Sequence, residues 1–308
     1  MSARFKILVV VDGSEASAQA LRYAIRIGSG TDADMTLIYV RPVEQGMRSG
    51  GLQDSVTRQN LRDWGVELPG TKALRQARQI LLETGYMGKD WSAEVQHSEV
   101  HFDPIGDHTF LYRGPDGRQV VFRLLVSPSV ARGVLDQCDV DQPDIVILAP
   151  SETSGLGGGR IDLQAAEIVA VEHTGSVLVA RELEESHGHL ICVWKNEQSI
   201  EAARRDAEIA ARCDCPVYLY SVAATEEEYE TAQEAVDAAE AAIADIGAPV
   251  FGKKVEIGDP VTKIIEEGRK YSVIVMSSRS VRGLRRYFTT GTSFRVLQRA
   301  HNSVMIAR

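Results

Sequence analysis

Residues 8–40 read LVVVDGSEASAQALRYAIRIGSGTDADMTLIYV, and residues 190–222 read LICVWKNEQSIEAARRDAEIAARCDCPVYLYSV. The two stretches align without a gap at an offset of 182, bringing Leu8 onto Leu190, Val11 onto Val193, Ser17 onto Ser199, Met35 onto Val217 and Val40 onto Val222. Each is a short apolar run, a helix-period segment and a second apolar run, which is a β-α-β unit. Apolar runs that alternate with helices predict strands buried on both faces of a parallel sheet.

The ends of the halves repeat as well. DIVILA (144–149) matches SVIVMS (272–277) at an offset of 128, and GSVLVAR (175–181) matches NSVMIAR (302–308) at an offset of 127. Between them lie the helical segments DLQAAEIVAVEH and SFRVLQRAH. The offset falls from 182 to 128, so the first half carries 54 extra residues in its middle.

The second half is the minimal unit. Its pattern predicts strands near 189–194, 216–222, 249–257, 271–276 and 303–307, and helices near 197–212, 225–246, 259–270 and 292–300. Thr225 is the expected N-cap of the long acidic helix and Gly247 its stop; the acidic content reads as a solvated face. The fold class is therefore α/β, with two doubly wound five-stranded domains in tandem. The first is expected over 1–182 and the second over 187–308, joined by the short polar ELEESHGH. The extra residues fall in two places, a polar stretch around 43–70 and a segment over about 101–126. Within the latter, GPDG between two apolar runs predicts a β-hairpin decorating the first domain.

Composition limits the function. With 44% hydrophobic and 25% charged residues the chain reads as an ordinary globular protein. Its net charge of −9 argues against nucleic acid or an anionic membrane as partner. No apolar run reaches the roughly 20 residues of a membrane span. MSARFKILVVVDGS reads as a buried strand ending at Asp12 rather than a signal peptide, so the expected compartment is the cytoplasm.

The four cysteines do not form a disulfide framework. Cys192 belongs to a core strand. Cys213 and Cys215 form a CxC pair that ends a helix and leads into the next strand, without the second ligand pair of a zinc site. QHSEVHFDPIGDH places His97, His101, Asp103, Asp107 and His108 together, and on a strand His97 and His101 share a face. No ligand set of fixed spacing is evident there, so no metal is expected. Nor is there a nucleophile elbow, a P-loop or a metal-binding helix motif, so no catalytic residue is assigned.

A first strand ending in VDGSEAS, a second strand LIYV and a closing SVLVAR resemble the universal stress protein family, and two such halves resemble its tandem members. The resemblance covers nearly the whole chain outside the insertion. It implies bound ATP in many members, held by a loop after the fourth strand that reads Gly, two residues, Gly, nine residues, then Gly followed by Ser or Thr. Glycines let backbone N–H groups approach phosphates, and the final turn opens a helix whose N-terminus favours an anion. An aspartate ending the first strand holds the adenosine end, and the valine ending the second offers its backbone to adenine.

Each half keeps a different part of that site. The second half keeps Val222 and the loop spacing, as Ser277, Ser280, Thr290 and Gly291, but serines replace both leading glycines. Trp194 stands where Asp12 stands in the first half, and reads as core filler more readily than as a base-stacking ring. The first half keeps Asp12, Ser14 and Val40, but its loop APSETSGLGGGRIDLQ puts Ala149 and Glu152 at the glycine positions.

Charge follows the same split. Arg279, Arg282, Arg285, Arg286, Arg295 and Arg299 accompany the second loop without an acidic residue, whereas the first loop is mainly acidic. Arginine serves an anion site or surface bridges to the acidic helices alike. The expected binding residues are thus Asp12, Ser14, Val40, Val222, Ser277, Arg279, Ser280, Gly291 and Thr292, with ATP or another phosphate compound as ligand and at most slow hydrolysis. The alternative is a nucleotide-free scaffold acting through the hairpin and the domain surfaces. Family resemblance also implies pairing of the two last strands, here within one chain as a pseudo-dimer, with further homodimerisation left open.

Overall fold

The repeat becomes one continuous sheet. The computed structural model describes residues 4–29, 32–42, 70–100, 103–151, 161–181, 188–277 and 291–308. In the first half β1 (Lys6–Val10), α1 (Glu15–Ser29) and β2 (Asp34–Pro42) form the opening β-α-β unit. There follow α2 (Thr71–Glu83), β3 (Ser92–Val100), β4 (Asp103–Arg113), β5 (Gln119–Ser127) and α3 (Val130–Asp141). The half closes with β6 (Ile145–Leu148), α4 (Leu163–Glu172) and β7 (Ser176–Val179).

The second half runs β8 (His189–Cys192), α5 (Glu197–Arg212), β9 (Val217–Ala223), α6 (Tyr229–Ile243) and β10 (Val250–Ile257). It ends with α7 (Pro260–Gly268), β11 (Val273–Ser277), α8 (Thr292–Arg299) and β12 (Ser303–Ala307). These lie within a few residues of the sequence expectations. Short 3-10 turns at Glu226–Glu228 and Ala244–Ile246 flank α6, and Gly247 takes the left-handed stop at φ 80°.

The strand order is β10-β9-β8-β11-β12-β7-β6-β1-β2-β5-β4-β3. Each half contributes third, second, first, fourth and fifth strands in that order, the doubly wound arrangement. The halves meet where β12 pairs antiparallel with β7, Met305 opposite Leu178, so the last strands do join the chain to itself. Strand alternation splits the core into two layers. Ile7 and Val9 face a cluster under α1, α2, α5 and α6, while Leu8 and Val10 face one under α3, α4, α7 and α8.

The hairpin expectation holds at GPDG, since β4 and β5 pair antiparallel across it. Its role changes. β5 also pairs parallel with β2, from Met35–Val120 to Pro42–Ser127, and is the third strand of the first domain, equivalent to β10. The strands added to the shared plan are β3 and β4, so the extra sheet begins before 101 and ends before 119. The polar stretch around 43–70 lies outside the described residues except for Gly70. Among the described residues no helix is long and apolar enough to cross a membrane.

The opening of α1 and α5 shows why the repeat persists at these positions. Ser14 Oγ accepts the Ser17 N–H at 3.1 Å, and Asn196 Oδ1 accepts the Ser199 N–H at 2.8 Å. Each is an N-cap at the strand-to-helix turn, worth about 1 kcal/mol.

Candidate functional site

In a doubly wound sheet the ligand crevice lies beyond the carboxyl ends of the strands, where the strand order reverses. In the second half that point is between β8 and β11. A cavity of about 330 Å³ opens there. Trp194 lines it just past β8, Val222 on β9, Ser277 at the end of β11, and Thr292 and Ser293 at the start of α8. The volume is at the small end of the range of about 300–1,000 Å³ for small-molecule sites.

Its frame is hydrogen-bonded. The Trp194 N–H donates to Ser199 Oγ at 2.9 Å, Ser221 Oγ donates to the Val193 carbonyl at 2.8 Å, and Ser293 Oγ donates to the Ser277 carbonyl at 2.7 Å. The last bond fixes the end of β11 to the first turn of α8. Gly291 is the N-cap of α8 and supplies no side-chain cap, so a polar ligand can take the first-turn N–H groups. This helix end is the electrostatically positive feature of the described site.

Of the sequence-predicted residues, Val222, Ser277 and Thr292 line this one cavity, with Gly291 beside it. Arg279 and Ser280 lie outside the described residues. Trp194 is the correction. It is half-buried and forms cavity wall, not core, because β8 ends at Cys192 and the chain turns outward to cap α5. Glu228 belongs to the acidic stretch that reads as a solvated helix face. It lines the cavity instead, its carboxylate accepting the Ala224 N–H at 2.9 Å. The only available signal was its place a few residues beyond the end of β9.

Asp12, Ser14 and Val40 are in the other half of the sheet. Asp12 Oδ1 accepts the Ser14 N–H at 2.9 Å, and among the described residues its buried Oδ2 has no hydrogen-bond partner. Ser14 is spent as the α1 cap. Val40 is fully buried under α3, where a Cβ on Gly133 would come within 2.6 Å of Val40 Cγ1. The first domain thus keeps an aspartate with spare acceptor capacity but packs a helix over its valine.

The described lining of the second cavity includes one carboxylate, Glu228, and no histidine or lysine. An aromatic wall, hydroxyls and a helix N-terminus suit the holding of a flat, partly anionic molecule. At the hairpin, His97 and His108 stack at 4.5 Å and His97 Nδ1 meets the Asp107 carbonyl at 3.0 Å. Among the described residues no metal-holding cluster forms there.

The sequence profile of the universal stress protein family matches residues 4–86 and 189–308. No curated protein matches the chain. A putative universal stress protein from Pseudomonas aeruginosa UCBPP-PA14 shares 13% identity over 99% of this chain and 93% of its own, with a TM-score of 0.59. One from Archaeoglobus fulgidus DSM 4304 shares 12% identity over 98% of this chain and 96% of its own, at a TM-score of 0.60. The two-domain plan is therefore shared with whole solved chains at very low identity.

Proposed function

The chain belongs to the universal stress protein family as a tandem member, and from that premise we propose that it is a non-catalytic binding protein for an adenine nucleotide or closely related phosphate compound. The observation that carries the reading is the second-domain cavity, which joins an aromatic wall at Trp194 to the N-terminus of α8, where Gly291 offers no side-chain cap. The base lies against Trp194 and the apolar wall around Val222. Phosphate oxygens take the N–H groups of the first turn of α8 and the hydroxyls of Thr292 and Ser277.

The exchange of an aspartate for Trp194 is affordable energetically. One base stacked on an aromatic ring is worth about 1–3 kcal/mol, comparable to a charge-assisted hydrogen bond of about 1.5–3 kcal/mol. Glu228, already an acceptor, is placed to take ribose hydroxyls in place of the missing aspartate. The first domain, with Val40 covered, is the weaker site.

Titration calorimetry with ATP and with adenosine tests this. Trp194→Ala is expected to weaken both ligands, by roughly five- to a hundred-fold. Thr292→Glu places a like charge at the helix end and is expected to weaken ATP while leaving adenosine unchanged. Equal ATP affinity in wild type and both variants would place the ligand elsewhere, and no binding at all would favour a nucleotide-free scaffold.

A further inference from the structure

A second cluster of polar side chains lies at the other end of β8, buried beneath the junction of the two halves. His189, the first residue of that strand, has no solvent exposure. Its Nδ1 lies 3.0 Å from both carboxylate oxygens of Asp206, itself fully buried on α5. Its Nε2 lies 2.5 Å from the Tyr23 hydroxyl, which comes from α1 of the first half. Cys213 and Cys215 complete the group, with their sulfurs 3.1 Å apart. A ring nitrogen of His189 and the two sulfurs supply ligand atoms that all lie within 4.8 Å of one another.

The local chain explains the convergence. Cys213 caps the C-terminus of α5 and Cys215 precedes β9. Asp214 between them takes a left-handed φ of 52°, which folds the two flanking side chains back toward the same side. Arg26 on α1 donates to the Cys213 carbonyl at 2.8 Å, tying the first half to this turn.

We propose that His189, Cys213 and Cys215 form a binding site for one thiophilic divalent cation of the Zn²⁺ type, with Tyr23 at the fourth position. Two features distinguish the cluster from an ordinary core. A buried carboxylate and a buried imidazole satisfy each other as a pair, and here that pair stands against two thiols whose sulfurs are 3.1 Å apart. A carboxylate on Nδ1 fixes the tautomer and presents the Nε2 lone pair, the outer-shell arrangement of metal-bound histidine.

The donor set is two thiols, one imidazole and one phenol, a soft set that favours zinc over magnesium or calcium. Four donors around zinc stand roughly 3.3–3.8 Å apart. That is wider than the 3.1 Å and 2.5 Å contacts here, so binding the ion requires Cys213 and Tyr23 to rotate outward. Both sulfurs coordinate as thiolates, and any proton they carry is released on binding. Because ligands come from both halves, the ion fastens α1 to α5. The site is separate from the nucleotide cavity and does not depend on it.

The test uses the full-length chain, reduced and freed of metal, titrated with Co²⁺ as spectroscopic probe and then with Zn²⁺. The expected result is one cobalt per chain with a thiolate charge-transfer band and tetrahedral visible bands, both displaced by zinc. Cys213→Ser is expected to remove the charge-transfer band or reduce it to that of a single thiolate. Asp206→Asn is expected to weaken zinc binding by roughly 10–100-fold. Replacing Cys138 and Cys192, which lie outside the cluster, should leave the bands intact.

Where a substitution in the buried cluster unfolds the chain, the wild-type cobalt spectrum decides by itself. No thiolate band at equimolar cobalt overturns the proposal. So does zinc retained by a folded Cys213→Ser, Cys215→Ser double variant, or a Cys213–Cys215 disulfide whose reduction yields a chain that takes up no metal.

Discussion

Gly188 carries a φ of 76° immediately before β8, and a Cβ there would lie 2.4 Å from the Pro216 carbonyl oxygen. Backbone of β11 depends on the same residue, since the Ser272 N–H donates to the Gly188 carbonyl at 3.0 Å. Gly188→Ala therefore meets both strain and a clash, and should cost about 2 kcal/mol or more in denaturant unfolding. A loss below about 0.5 kcal/mol would mean that the turn rearranges freely. Single residues were also where the sequence was hardest to read. Trp194 looked like core because tryptophan in an apolar strand usually is, and only the strand end at Cys192 turns it toward the cavity. Cys213 and Cys215 looked like helix and strand ends, and they are. Their partner His189 is 24 residues upstream of Cys213 in sequence and meets them only because β8 and β9 are neighbours.

At the scale of elements, the closest ion pair between α7 and the edge strand β10 runs through one carboxylate. Glu267 accepts from Lys254 at 2.6 Å and from Lys270 at 2.9 Å. Burial pushes its carboxyl up, but the two ammonium groups outweigh burial and hold it below its ordinary 4.5. A carboxylate depressed in the folded state stabilises the fold above its unfolded pKa, and that contribution is lost as pH falls through the folded value. Thermal melts below about pH 4.5 should thus show wild type losing stability more steeply than Glu267→Gln, with the difference largest near neutral pH. Parallel slopes would contradict the assignment.

The hairpin illustrates what local pattern can and cannot show. GPDG predicts an antiparallel turn whatever its surroundings, and β4 and β5 obey it. Whether β5 then joins β2 in parallel is a long-range matter, settled by the burial of Val120, Phe122 and Leu124 against the shared core. The helices and strands of the second half were legible because each has its own period and its own stop.

Across the whole molecule the two halves clasp each other through matching arginines. Arg181, which ends SVLVAR, donates to the Ala300 and Leu297 carbonyls at the end of α8, at 2.8 and 2.7 Å. Arg308, which ends SVMIAR, donates to the His173 carbonyl at 2.6 Å and to Ala170 at the end of α4. Each arginine caps the partner half's last helix, as a two-fold related pair would. Arg181→Ala is expected to lower stability by about 1.5–3 kcal/mol, read by urea unfolding, while leaving both β-α-β units intact by circular dichroism. An unchanged unfolding midpoint would show that the β7–β12 pairing suffices alone. The repeat that implied this symmetry was plain in the sequence; the reciprocity of the arginines was not, because it needs the antiparallel pairing to bring residues 181 and 297 together.

Everything proposed for the second domain turns on whether its cavity holds a nucleotide. The most direct measurement is to purify the protein without added nucleotide, denature it, and identify what is released by chromatography and mass spectrometry. The expected result is an adenine nucleotide or related phosphate compound at close to one per chain, lost in Thr292→Glu. An empty wild-type protein that also shows no thermal shift with millimolar ATP would contradict it.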